Sequence, residues 1–265
     1  MLDGTLRQTL DRIYRIYNRK AYLHPDPLEF LHGYENPTDR EIIGLIAASL
    51  AYGRVAQILK SVSCIVTCMG TSPNRYISTL TPETLKRDFS DFTHRFATGD
   101  HLSALLKGIK QVKEEYGSLY TCFLKGVGED DPTVFPGLVH FARKLTANGN
   151  LNVGHLVPDP QRGSACKRLN LFLRWMVRKD RVDPGGWEEV PASKLIIPLD
   201  IHMHRFGRFF GFTHRNQADL RTAMEITEGF RGIRPEDPVR YDFALTRLGI
   251  RKDLDLFQTL GNDSP

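Results

Sequence analysis

The chain has 265 residues, 41% of them apolar and 25% charged, enough to bury a sizeable core as one large domain or two small ones. No apolar run reaches the ~18 residues of a membrane span, and the opening Met1-Leu2-Asp3-Gly4-Thr5-Leu6-Arg7 lacks the basic-then-apolar layout of a secretory signal, so a cytoplasmic protein is expected, with no membrane partner. Cys64, Cys68, Cys122 and Cys166 show neither disulfide nor zinc-finger spacing and read as reduced thiols, and the net charge of +5 is concentrated where residues 161–215 carry eleven Lys or Arg against five Asp or Glu, a patch suited to a polyanion.

The periodicity is helical almost throughout, which predicts an all-α fold. Leu6, Leu10, Ile13 and Ile16 recur every three or four residues and predict a helix over 5–18. Asn36-Pro37-Thr38-Asp39 is a start signal for a helix over 39–52, apolar nearly all round and therefore buried. Gly53 interrupts it, and Val55 to Val66 resumes as a helix. Further helices are predicted near 72–79, 100–115, 118–125, 133–147, 164–178, 200–210, 216–229 and 237–249. Leu195-Ile196-Ile197 is the best strand candidate, cut short by Pro198, and Asp180 to Pro191 reads as a loop between two working helices. Trp175 and Trp187 read as packing residues, Trp187 in that loop being the better of the two for stacking on a base, and the run Phe206, Phe209, Phe210 and Phe212 reads as core.

Two helix starts carry the chemistry. Ser164 is a natural N-cap, which puts Lys167 in the first turn of the helix it opens. The positive pole of a helix start disfavours a cation, so a lysine there breaks a local rule, as functional positions do. Lys167, Asn170, Arg174 and Arg178 share one side of this helix, placing the lysine among arginines able to meet phosphates. Unpaired N–H groups around Gly163, Ser164 and Ala165 offer a further phosphate seat. Pro198 stops the preceding segment and leaves Asp200 as the N-cap of the next helix. Thirty-three positions separate the lysine from the aspartate, room for a helix, a loop and a return that brings the two starts face to face. An amine that attacks a sugar carbon needs a carboxylate nearby for the positive charge that develops.

Gly163-x-x-x-Lys167 followed by Pro198-x-Asp200-x-His202-Met203 resembles the helix-hairpin-helix DNA glycosylase superfamily, above all the 8-oxoguanine glycosylase/lyases. The long lysine-to-aspartate separation is similar to the archaeal branch, and the whole chain also resembles an uncharacterised bacterial family related to the superfamily. The resemblance implies two helical lobes with a cleft between them: a central lobe over 36–155, and a second built from 1–35 and 156–265 that carries the hairpin at 157–178. It implies an N-glycosylase and abasic-site lyase for damaged duplex DNA, acting on a flipped base without a cofactor. Lys167 would be the Schiff-base nucleophile and Asp200 its assisting carboxylate, while Gly163, Ser164, Ala165, Arg168, Arg174 and His202 would hold the DNA. No obligate protein partner is implied.

Three departures stand out. Val157-Pro158-Asp159-Pro160-Gln161-Arg162-Gly163 replaces the usual pair of close glycines, Ala51-Tyr52-Gly53-Arg54 replaces a Gln-rich segment, leaving the wedge for the vacated base unassigned, and no cysteine follows Cys166 to bind iron and sulfur. Two other readings compete. One is a DNA-binding protein that keeps the fold without the chemistry. The other is a metal-dependent hydrolase using Asp200 and His204, the two members of Asp200-x-His202-x-His204 that converge on a helix.

Overall fold

Three helices open with the same device, a polar cap followed by proline, which presets the first helical φ and has no N–H to leave unpaired. In the computed structural model, which describes residues 2–250, Asn36 opens α2 (Pro37–Ser49), Ser72 opens α4 (Pro73–Ser78) and Thr81 opens α5 (Pro82–Phe89). Around them run α1 (Leu2–Tyr17), α3 (Val55–Met69), α6 (Gly99–Tyr116), α7 (Leu119–Leu124), α8 (Phe135–Leu145), α9 (Lys167–Val177), α10 (Ile201–Phe209), α11 (Leu220–Ile233) and α12 (Asp242–Ile250). Short 3-10 turns link several of these, the longest at Pro27–Gly33. The fold is all-α apart from a two-residue ladder, β1 (Thr93–His94) paired antiparallel with β2 (Ala97–Thr98). No helix among the described residues is long and apolar enough to cross a membrane.

The central helix is α2. Its nearly all-apolar surface is buried against the 27–33 turn, α9, α4 and α7. Gly44 permits the closest of these contacts, since a Cβ there would lie 3.2 Å from Leu31 Cδ2 and 3.3 Å from Phe172 Cε2. Two carboxylates, Asp39 and Glu41, are buried on this helix, and Glu41 accepts from the Leu119 and Tyr120 N–H groups at the start of α7 and from Trp187 Nε1. Burial pushes its pKa up to about 7 against those donors. The first and last described helices meet: α1 packs on α12, and α12 on α10.

Several expectations are corrected. The 180–191 segment is a loop, but one folded into the core, with Val182, Asp183 and Trp187 all buried. Trp187 lies in an aromatic cluster, stacked on Tyr120 at 5.3 Å and edge-on to Phe172 at 5.1 Å, so it offers no face to a base. Leu195-Ile196-Ile197 is buried without joining a sheet, the Ile197 N–H being satisfied by Thr227 Oγ1 instead. Helix α9 begins at Lys167, three residues after the expected start. Ser164 forms an isolated bridge with Asp219 and its hydroxyl takes the Cys166 N–H, while Cys166 itself is left-handed at φ 46°. That conformation cannot extend a helix, so Ser164 is not its N-cap and the first helical residue is the lysine.

Candidate functional site

Asp200 is the N-cap of α10, its Oδ1 accepting from the His202 and Met203 N–H groups at 2.9 Å each. This fixes the carboxylate and turns Oδ2 toward the start of α9, where Lys167 Nζ lies 3.7 Å away. The pair faces a cavity of about 580 Å³, walled by Pro27, Ala51, Val55, Ile58, Leu171, Pro198, Leu199 and Phe243, with His202 and Ile201 at its edge. About a third of the lysine side chain is exposed, and the aspartate less. The sequence therefore anticipated the one juxtaposition of amine and carboxylate that lines this cavity. A wider groove of about 810 Å³ runs beside residues 142–162, but no Lys, Cys or His lines it, so it offers no nucleophile of that kind.

The other predicted contacts divide. Gly163 is exposed at φ 79°, a left-handed turn that suits glycine, and its N–H is bonded to the Pro160 carbonyl; Ser164 is exposed and Ala165 buried. His202 lines the cavity with its ring against the backbone of α12, where a Cβ on Gly249 would come within 3.0 Å of Nδ1. Arg168 is turned inward: it donates to the carbonyls of Ser49 and His155 and covers the Tyr52 ring at 5.1 Å. Burial lowers its pKa, and it braces the frame behind Lys167 rather than meeting a phosphate.

Arg174 is corrected most fully. It is 3% exposed and paired with Asp183 and Asp242, while Arg178 on the same side of the helix pairs with Asp183, Asp180 and Asp237. Burial works against the charge on Arg174, but the carboxylates of Asp183 and Asp242 outweigh it and raise its pKa. Both guanidiniums are committed to buried carboxylates, Arg174 at the wall of the cavity that Lys167 faces. Three charged groups that line the cavity escaped the sequence reading: Asp242, Asp26 and Arg247, the last two paired with each other. Desolvation pushes Asp242 up to about 6, opposed by Arg174, raised further by Asp200 and lowered by Lys167. The only signal for it was its place just before the Phe243-to-Gly249 stretch.

His204 Nε2 is bonded to the Arg215 carbonyl, and among the described residues no group of three or more His, Cys, Asp or Glu converges as a metal would require. What the arrangement can do is hold a small-molecule-sized group in a largely apolar-walled cavity with an amine and a carboxylate at one end.

The family model that matches the chain, over residues 26–251, is described as "Protein of unknown function (DUF2400)". No curated protein and no solved structure matches it.

Proposed function

We propose that this chain, which belongs to the DUF2400 family, is a DNA N-glycosylase and abasic-site lyase that removes a damaged base through a lysine Schiff base. The observation that carries this reading is the 3.7 Å approach of Lys167 Nζ to Asp200 Oδ2 in a cavity of about 580 Å³, roomy enough for a whole extruded nucleotide. The amine must be neutral to attack; about a third of its side chain is open to solvent, which can take the proton and leave Oδ2, free of the two backbone donors on Oδ1, as the carboxylate beside it. Nζ then bonds to C1′ of an extruded nucleotide as the C1′–N bond breaks and the base leaves with the electron pair. Asp200 offsets the positive charge that builds on the sugar. Transfer of an Nζ proton to O4′ as C1′–O4′ opens leaves the lysine iminium, and loss of a C2′ proton then breaks C3′–O3′ and expels the 3′ phosphate, cleaving the strand.

The duplex itself would be held by cations other than those first expected. Ile201, Arg205 and Arg208 are exposed and recur at four and three along α10, so the stripe that begins at the cavity edge continues as two guanidiniums.

Borohydride trapping tests the reading, because it reduces the iminium to a stable secondary amine. On duplexes carrying 8-oxoguanine or an abasic site, the wild-type chain is expected to form a covalent adduct and Lys167→Ala none. Asp200→Asn keeps a good helix cap and should react at least about a hundredfold more slowly. Duplex binding without an adduct on any lesion would instead favour a non-catalytic DNA-binding protein, and an adduct from Lys167→Ala would remove the lysine from its role.

A further inference from the structure

Three of the large apolar side chains left open to solvent lie close to the Lys167 cavity. Val55 and Ile201 line the mouth of the Lys167 cavity at 39% and 73% exposure, and Phe96, 72% exposed, stands beside it on the β1–β2 hairpin. The tip of that hairpin is Arg95-Phe96, and Arg95 has φ 55°, at a position where a tight turn ordinarily takes glycine. A strained arginine followed by a bare phenylalanine is not what a merely connecting turn would carry.

The hairpin is rigidly mounted. His94 is wholly buried, with Nε2 donating to the Tyr52 carbonyl at 3.2 Å and Nδ1 meeting Ser61 Oγ at 2.9 Å, and Tyr52 Oη donates back to the His94 carbonyl at 2.9 Å. Burial lowers the pKa of His94, which suits the neutral tautomer those bonds require. Next to Tyr52, Gly53 lines the cavity, and a Cβ there would come within 2.7 Å of Arg95 Cδ, so the Arg95 side chain lies along the cavity rim. The Phe96 ring is 6.2 Å from His155, whose own ring is 4.7 Å from Tyr52. Arg168, the neighbour of Lys167, holds both by covering Tyr52 and donating to the His155 carbonyl. Hairpin tip and amine thus share one frame.

A lone ring is too small to dock a protein, which needs a patch of several hundred square ångströms. It matches a single base, and the Arg95 guanidinium, which rests over the ring 5.4 Å from its centroid, would swing off that face to the adjoining phosphate as the ring enters the stack. We infer that Phe96 is a wedge: it enters the base stack and fills the gap left when a nucleotide is drawn into the Lys167 cavity, with Arg95 along the strand. This rests on the cavity being a nucleotide pocket, as proposed above.

The test uses a duplex with a tetrahydrofuran abasic analogue and 2-aminopurine opposite it. Binding of the wild-type chain is expected to change the 2-aminopurine emission. Phe96→Ala should lose that change and bind at least about fivefold more weakly, while Phe96→Trp retains both. Because the side chain is exposed, the alanine variant should fold normally. An emission change that survives in Phe96→Ala, or none with the wild type, overturns the wedge. Borohydride trapping on a natural abasic duplex separates the two ideas: an adduct without the Phe96 effect overturns the wedge alone, and the Phe96 effect without an adduct supports the wedge while overturning the lyase chemistry.

Discussion

Lys167 and Arg174 are seven residues apart on one side of α9, yet they do opposite things. The lysine sits in the first turn, about a third exposed, with one carboxylate at 3.7 Å across a cavity. The arginine sits two turns on, buried, inside a net that ties Arg174 and Arg178 to Asp183, Asp242, Asp180 and Asp237. One end of the helix keeps a cation available; the other uses cations to fasten the 180–191 segment and α12 to the core. The same charge on the same helical side becomes reagent or rivet according to what closes over it.

The largest expected effect lies at the buried end. Asp183 is fully buried and bridges both guanidiniums, so Asp183→Asn leaves two desolvated cations short of an anion. Breaking a buried pair in this way costs about 3–5 kcal/mol, which urea unfolding would show as a lowered midpoint. Lys167→Ala removes a partly exposed pair and should change stability by less than about 1 kcal/mol. Equal losses from the two variants would erase the contrast between the two ends.

What the sequence made legible follows from this division. Helix spans came from periodicity, and the lysine and aspartate came together because each sits at a helix start, a place marked by local signals such as Gly163 and Pro198. The fate of Arg174 was not legible, since the carboxylates that bury it lie nine and sixty-eight residues away and no local pattern joins them. Trp187 was legible as a packing residue but its anchor was not, since Glu41, 146 residues away, supplies the buried acceptor that lets the indole turn inward. Strands of two residues carry no alternation to read, so the hairpin that bears Phe96 was invisible, and Thr81-Pro82 passed unremarked although it opens α5 by the same device as Asn36-Pro37.

A second, smaller effect tests where the two ends meet, at Asp242, which pairs with Arg174 and lines the cavity. Its folded pKa is raised from 3.8 to about 6, mainly by desolvation, so between those values the folded chain binds a proton that the unfolded chain does not. The associated stability is fully present below pH 3.8 and is lost as pH rises through about 6. Asp242→Asn should therefore flatten that part of the stability profile, read by urea midpoints from pH 4 to 6.5. A slope unchanged in the variant would assign the proton to another group, such as Glu41, which is raised to about 7.

The smallest effect belongs to the exposed cations on α10. If Arg205 and Arg208 replace the buried arginines as phosphate contacts, the Arg205→Ala, Arg208→Ala double variant should bind undamaged duplex more weakly at low salt. It should also flatten the dependence of log affinity on log salt by about 0.9 for each phosphate released. Folding should be unaffected, because both side chains are exposed. The effect should be independent of the lesion, since phosphate contacts carry no base information. The same measurement on Arg174→Met would report no altered salt slope per folded molecule if that guanidinium is sealed from the duplex. A slope reduced by Arg174→Met but not by the α10 pair would mean that the buried end of α9 opens to meet the DNA, and the division between its two ends would fail.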